Sequence, residues 1–160
     1  MTSDTCTIRR ARPEDAPAAA AMWAEMAERH KGFDEQAWPW AADAPRRWQD
    51  SFAGLLDRED MLLLVAERDG QAVGFVVVQI KPRSPVYEAG EEGFVWDLGV
   101  RGDCRRQGIG RRLMQAALAE LKRRGVGDVI LHVAAANEPA ARLYESLGMR
   151  VIMHRMYKKL

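Results

Sequence analysis

Arg105-Arg106-Gln107-Gly108-Ile109-Gly110-Arg111-Arg112-Leu113-Met114 separates a strand-like run, Phe94 to Val100, from a helix-like run that ends near Arg124. A strand, a glycine-bearing bend and a helix in that order make a junction able to hold a phosphate. Two glycines at this spacing let backbone N–H groups approach an anion closely, and the first turn of the helix adds its partial positive charge. Arg105, Arg106, Arg111 and Arg112 add whole charges. Spacing excludes two familiar alternatives. A P-loop needs Gly-Lys-Ser/Thr after four spacer residues, and a dinucleotide fingerprint needs a third glycine or an alanine where Leu113 stands. On this stretch alone, a solvated basic turn stays open as the bland reading.

Upstream of the bend, Met61 to Arg68 and Gln71 to Ile80 are β-branched-rich runs joined by Asp69-Gly70, which predicts an antiparallel hairpin. Thr5 to Arg10 alternates like an edge strand, and Pro13-Glu14-Asp15 opens a helix with Ala19, Trp23, Met26 and His30 on one face. Asp43 is placed to cap a second helix reaching about Leu56. Between them, Lys31 to Asp43 is too broken for a helix and too aromatic for a mere linker, so it reads as a binding loop. Downstream, the helix after the bend stops at Gly125, Val129 to Ala134 reads as a buried strand, and Asn137-Glu138-Pro139 starts a helix that Gly148 ends. Val151 to Lys158 is expected to form a last strand. The order predicts a mixed α/β sheet with helices on its faces.

With 160 residues, 48% hydrophobic and 29% charged, the composition suits one globular domain over 1–160 with a substantial core. Lys+Arg at 24 against Asp+Glu at 23 leaves a net charge of +1, so no global field favours nucleic acid or an anionic membrane. Cys6 and Cys104 allow at most one bridge, and the polar N-terminus lacks an apolar signal segment, so a reduced, cytoplasmic protein is expected. No apolar run approaches the length of a membrane span. No His/Cys/Asp spacing predicts a metal site, and His132 and His154 read as structural.

Arg105-x-x-Gly108-x-Gly110 after a strand ending Asp97-Leu98-Gly99-Val100, followed by Asn137-x-x-Ala140-x-x-Leu143-Tyr144-x-x-x-Gly148, resembles the GNAT superfamily of N-acetyltransferases. The element order agrees along nearly the whole chain. The resemblance implies a three-layer fold: a central, mostly antiparallel sheet with a splayed parallel strand pair and helices on both faces. It implies acetyl-CoA as co-substrate in the gap between Leu98–Val100 and Val129–Ala134. The main chain at Leu98, Gly99 and Val100 would pair with the pantetheine arm, and the turn of Arg105, Arg106, Gln107, Gly108, Ile109 and Gly110, with Arg111, would surround the pyrophosphate. Coenzyme A carries several negative charges, which suits such a turn independently.

Acetylating an amine needs the amine neutral and a proton for the departing thiolate. Neutralising a lysine-like amine at pH 7 costs about 4.6 kcal/mol, but an α-amine only about 1 kcal/mol. By resemblance, Tyr144 faces the thioester sulfur and is the candidate proton donor; a ring merely packed on the sheet is the alternative. Asn137 either contacts the cofactor or only caps its helix. Asp97 is the chosen base, acting directly or through water, ahead of Glu91 and Glu92. Many relatives carry a glutamate at or beside Trp96, where this chain has an indole, which puts direct abstraction in doubt. His30, Phe33, Trp38 and Trp40 are the expected acceptor pocket, while Trp23 and Trp48 read as helix-core residues. Cys104 precedes the turn instead of facing the thioester, so direct attack in a ternary complex is expected. The acceptor class stays open among small amines, antibiotics, protein lysines and N-termini. A homodimer is compatible with the resemblance, and a non-catalytic acyl-CoA sensor or interaction module of the same fold is the alternative function.

Overall fold

The computed structural model describes residues 6–160 of the chain. It runs β1 (Thr7–Arg10), α1 (Ala16–Phe33), α2 (Ala44–Leu55), β2 (Met61–Arg68), β3 (Gln71–Pro82), β4 (Glu91–Val100), α3 (Ile109–Arg123), β5 (Asp128–Leu131) and α4 (Glu138–Glu145). Asp69 (φ +51°) and Gly70 (φ +74°) both take the left-handed conformation that a two-residue type I′ hairpin requires, and so fold β3 back on β2. The strands lie in the order β1-β2-β3-β4-β5; all neighbours are antiparallel except β4 and β5, which run parallel because α3 crosses between them.

Two apolar layers sandwich this sheet. On one face, Leu113, Met114, Ala117 and Leu121 of α3 pack with Leu62, Leu64, Val76 and Val78. On the other, Ala19 and Trp23 of α1 and Phe52 of α2 pack with Leu63, Val65, Phe75 and Val77. Alternate residues of β2 and β3 therefore serve opposite layers, which is why both strands read as continuous apolar runs. Gly74 lets α3 approach the sheet, since a Cβ there would lie 3.0 Å from both Ile109 and Leu113. At the outer edge, buried Asp15 accepts two hydrogen bonds from Arg9, at 2.8 and 2.9 Å, and one from the Arg12 N–H at 2.7 Å. Burial opposes its charge, but these partners prevail and lower its pKa.

An irregularity in β4 positions the site. Val77 pairs with Asp97 but Val78 pairs with Val95, so Trp96 is an extra residue, a β-bulge. The parallel ladder with β5 also stops at Val95. From Trp96 onward β4 keeps β3 on one side and, among the described residues, has no strand on the other, which is the splayed pair that the resemblance implies.

Some boundaries differ from the sequence reading. β4 begins at Glu91 instead of Phe94, and β5 ends at Leu131 instead of Ala134. Helix α1 runs into the expected loop as far as Phe33. Asp43 precedes α2 without a side-chain cap, its carboxylate instead taking the Arg47 Nε–H at 2.9 Å. Thr5, the expected start of β1, lies outside the described residues. The expected last strand at Val151 to Lys158 does not form: no ladder includes it, and Val151, Ile152 and Met153 are 64%, 67% and 78% exposed. Its Val151, Ile152 and Tyr157 are strand-favouring residues, but among the described residues no strand lies beside it.

Candidate active site

Beyond β4, the chain makes a short 3-10 turn at Gly102–Cys104 and then the arginine-glycine bend. Arg106 (φ +64°) and Gly108 (φ +77°) are both left-handed, so they bracket the bend and turn successive N–H groups toward one concave side. Gly108 occupies the cap position of α3, and no side chain caps that helix. Its first-turn N–H groups and positive dipole end are thus directed at the bend. Gly110 sits close to Leu143, Val100 and Leu98; a Cβ there would meet them at 3.5 to 3.9 Å. Bend, open strand edge and α4 therefore converge on one place.

The arginines divide their roles. Arg105 donates from Nε to the Val100 carbonyl at 3.0 Å and from Nη2 to Glu25 at 2.7 Å, so it braces the end of β4 against α1. Arg112 donates to the Cys6 carbonyl. Arg111 reaches Ser146 at 2.6 Å and ties the start of α3 to the end of α4. Arg106 and Arg111 are exposed, whereas Ile109 is buried and supports the bend from below. Gln107 is held at the surface by Arg68 and the Asp103 carbonyl.

Asp97 lies on the opposite sheet face from Val95. Regular alternation would put residues 95 and 97 together under α3; the extra residue at Trp96 reverses the parity and turns Asp97 toward α1 and α2. There the Trp48 indole N–H donates to its carboxylate at 3.0 Å, and the Trp23 indole lies near enough to favour its charged form. Burial raises the Asp97 pKa; the two indoles and the nearby His30 pull it back only partly. Trp48 stacks on Trp23 at 6.0 Å and packs against Phe75 at 5.2 Å, while Trp40 meets Trp23 edge-on at 5.2 Å. His30 contacts Phe33 at 5.7 Å and Trp38 at 5.4 Å, and donates from Nδ1 to the Met26 carbonyl at 2.9 Å. Of the four residues expected at an acceptor pocket, His30, Phe33 and Trp38 cluster at the end of α1, whereas Trp40 packs on Trp23 and donates its indole N–H to the Ala27 carbonyl at 3.1 Å.

Tyr144 of α4 is close enough to Asp97 to feel its charge: its pKa is pushed up to about 12, first by burial and then by that carboxylate. Tyr144 packs with the α3-side cluster and Asp97 faces α1 and α2, so the phenol and the carboxyl belong to opposite faces of the sheet. The Asn137 side chain accepts from the Ala140 N–H at 3.4 Å, so its oxygen serves as the helix cap. Glu91 and Glu92 lie at the other end of β4, Glu92 paired with Lys81 at 3.3 Å. Cys104 is buried in the α3 layer, and Cys6 and Cys104 are free thiols. The sequence reading missed the bond from Trp48 to Asp97: helical periodicity accounts for an indole's burial but not for the acceptor of its N–H. Among the described residues no helix is long and apolar enough to cross a membrane.

Residues 21–149 match the family described as the Acetyltransferase (GNAT) family. A mycothiol acetyltransferase of Thermobispora bispora is 35% identical over 140 residues, covering 80% of this chain and 47% of its own length. The chain spans about half or less of the length of the curated relatives it matches. Among solved structures, a tetramutant of a Bacillus halodurans protein superposes with a TM-score of 0.85 at 25% identity, covering 96% of this chain and 99% of that one. A predicted acetyltransferase of Clostridium acetobutylicum, solved with acetyl-CoA, has a TM-score of 0.72 at 15% identity over 97% of this chain and 96% of its own, which shows a shared fold.

Proposed function

We propose, from the premise that this chain belongs to the acetyltransferase (GNAT) family, that residues 1–160 form one catalytic domain moving an acetyl group from acetyl-CoA to a primary amine by direct attack in a ternary complex. The observation that carries this reading is the β4 bulge, which turns half-buried Asp97 toward α1 and α2 and is followed by a strand edge that β5 does not pair, with Tyr144 within reach of that carboxylate's charge and the left-handed bend past the end of the strand.

The residues present fit the donor. Main-chain N–H groups from Arg106 to Gly110, with the exposed guanidinium groups of Arg106 and Arg111, suit a pyrophosphate, and the partnerless edge of β4 around Leu98 to Val100 suits an extended amide-bearing arm. Bound acetyl-CoA supplies the activated acetyl group as a thioester.

Asp97 holds the incoming ammonium and takes its proton. A carboxyl whose pKa burial has raised is a better base than an exposed one, and the aromatic walls around it favour a cation. His30, Phe33, Trp38 and Trp40 then line the acceptor's body. Tyr144, at about 12, stays protonated throughout the working pH range. Complete transfer of its proton to a thiolate of pKa about 8.5 is uphill by about 5 kcal/mol, so its Oη serves as a hydrogen-bond donor that yields the proton only as negative charge builds opposite it. Burial of Cys104 in the α3 layer favours direct attack over an acetyl-cysteine.

An amine-panel assay reading free thiol tests this, with Tyr144→Phe as the diagnostic variant. We expect kcat to fall about 10²-fold with acetyl-CoA affinity by calorimetry unchanged. Unaltered turnover would remove Tyr144 from the chemistry. Normal acetyl-CoA binding with no turnover on any amine would favour the acyl-CoA sensor instead.

A further inference from the structure

β4 carries a row of aromatic rings that neither apolar layer uses. Gly93 faces α3, since a Cβ there would lie 3.0 Å from Leu121, and Val95 packs in the same layer. Phe94, between them, therefore points to the other face of the sheet, the face of α1 and α2. There its ring meets Trp96 edge-on at 5.9 Å and His132 edge-on at 5.2 Å. His132 follows β5, whose Val129 and Leu131 pack in the α3 layer, so the same alternation sets it on the face of Phe94. The row thus bridges the two splayed strands.

Trp96 is 58% exposed, and Phe94, Trp96 and His132 belong to neither core cluster. Folding normally covers most of a tryptophan, and neighbouring rings left open together mark a binding surface. The bulge sets this surface beside the candidate base. Trp96 is the inserted residue, and the carboxylate that follows it turns to the same face, where Trp48 donates to it. Bulges re-aim side chains in this way next to active sites.

Charge narrows what the row accepts. Other acids near it are already matched: Glu92 pairs with Lys81 at 3.3 Å, and Asp60 accepts from Arg58 at 2.6 Å and at 3.1 Å from Gln79, which lies across from Phe94. The Lys81 ammonium also stands over the Phe94 ring at 5.2 Å. Asp97 forms no ion pair among the described residues and takes an indole N–H instead. One ammonium is therefore attracted at Asp97, and a second one farther along the row would meet Lys81. Phe94 lies three residues before Asp97, about 10 Å along the strand, so a flat body attached a few bonds from the amine lies against Trp96 and extends toward Phe94 and His132.

We infer that Trp96, Phe94 and His132 form a stacking wall of the acceptor site and select a primary monoamine on a flat aromatic body, an arylalkylamine, over polyamines and amino sugars. The inference rests on the reading of Asp97 as the group that holds the ammonium and takes its proton.

The test is steady-state kinetics with acetyl-CoA and 2-phenylethylamine, ethylamine or 1,4-diaminobutane, together with calorimetric binding of 2-phenylethylamine to the protein in the presence of coenzyme A. The variants are Trp96→Ala and Trp96→Phe, at an exposed position, with folding checked by circular dichroism. For the parent we expect kcat/KM at least about tenfold higher for 2-phenylethylamine than for either other amine. Trp96→Ala should raise the KM and Kd of 2-phenylethylamine about tenfold, with the larger part of the loss in KM, while ethylamine, which has no ring to stack, loses far less. Trp96→Phe should restore most of the difference. A diamine used as well as 2-phenylethylamine overturns the inference. So does 2-phenylethylamine that fails to bind the parent, or that binds parent and Trp96→Ala alike, which would leave the row to a macromolecular partner. A parent that turns over no amine yet binds 2-phenylethylamine through Trp96 upholds the wall and refutes the catalytic reading of Asp97 instead.

Discussion

Replacing Trp48 with Phe removes one hydrogen bond from Asp97 and little else. The phenyl ring keeps the apolar contacts that the indole makes with Trp23, Phe52 and Phe75, but the N–H donated to the Asp97 carboxylate at 3.0 Å is gone. Hydrogen bonds to charged groups contribute about 1.5 to 3 kcal/mol. Trp48 is partly exposed and Trp23 and His30 remain, so the lower figure applies. About 1.5 kcal/mol is roughly a tenfold change in the ionisation equilibrium. The sign follows from which form is stabilised: the indole favours the carboxylate, so its loss adds to the upward push of burial. The acidic limb of kcat/KM should therefore move upward by about one pH unit, with the alkaline plateau nearly preserved. Measuring kcat/KM against pH for parent and variant with one acceptor amine cancels the amine's own titration. An unmoved limb in an active, folded variant would refute Asp97 as the titrating base.

Asp97→Asn should abolish turnover yet raise thermal stability at neutral pH. A carboxyl with a raised folded-state pKa loses stability as pH climbs from the ordinary carboxylate range through that raised value, so melts of parent and variant should converge near pH 3.5 and diverge above. Asp15 behaves oppositely. Its lowered pKa stabilises the fold above about pH 4 and the contribution fades below it; Arg9→Ala, which strands the buried carboxylate, should cost about 3 kcal/mol in urea titrations at pH 7 and less at pH 3. Gly99→Ala drives a Cβ into the Phe75 ring, which supports Trp48; we expect a loss of about 1 to 3 kcal/mol and reduced kcat, read by denaturation and steady-state kinetics.

Local signals carried most of the architecture. The Asp69-Gly70 turn, the caps at Gly125, Asn137 and Gly148, and the glycine bend each depend on a few adjacent residues, and each took the expected conformation or role. What was illegible is non-local. Arg105 braces β4 because Glu25, 80 residues away, takes its guanidinium. Trp23 and Trp48 were legible as apolar faces of helices, but the acceptor of the Trp48 N–H belongs to a strand chosen by the sheet order. Val151 to Lys158 reads as a strand because Val151, Ile152 and Tyr157 report a tendency to pair and not the presence of a neighbour. Most of all, the face on which Asp97 emerges depends on a bulge that period-2 counting cannot detect, since one inserted residue inverts every assignment after it.

That bulge links the two halves of the site. One extra residue at Trp96 increases local twist, and the parallel ladder with β5 ends at the residue before it. The same insertion therefore bares the edge of β4 on which an acyl donor's arm can pair and carries Asp97 through the sheet to the face where the aromatic cluster gathers. An acid at Trp96 would occupy the exposed bulge position, since that residue is 58% exposed; there its pKa would stay ordinary and it would be a weak base. At 97 the carboxyl is drier, it is oriented by indole donors, and it stands near Tyr144. On the proposed reading the bulge itself supplies the acid, by turning Asp97 to the α1–α2 side from which an amine would approach.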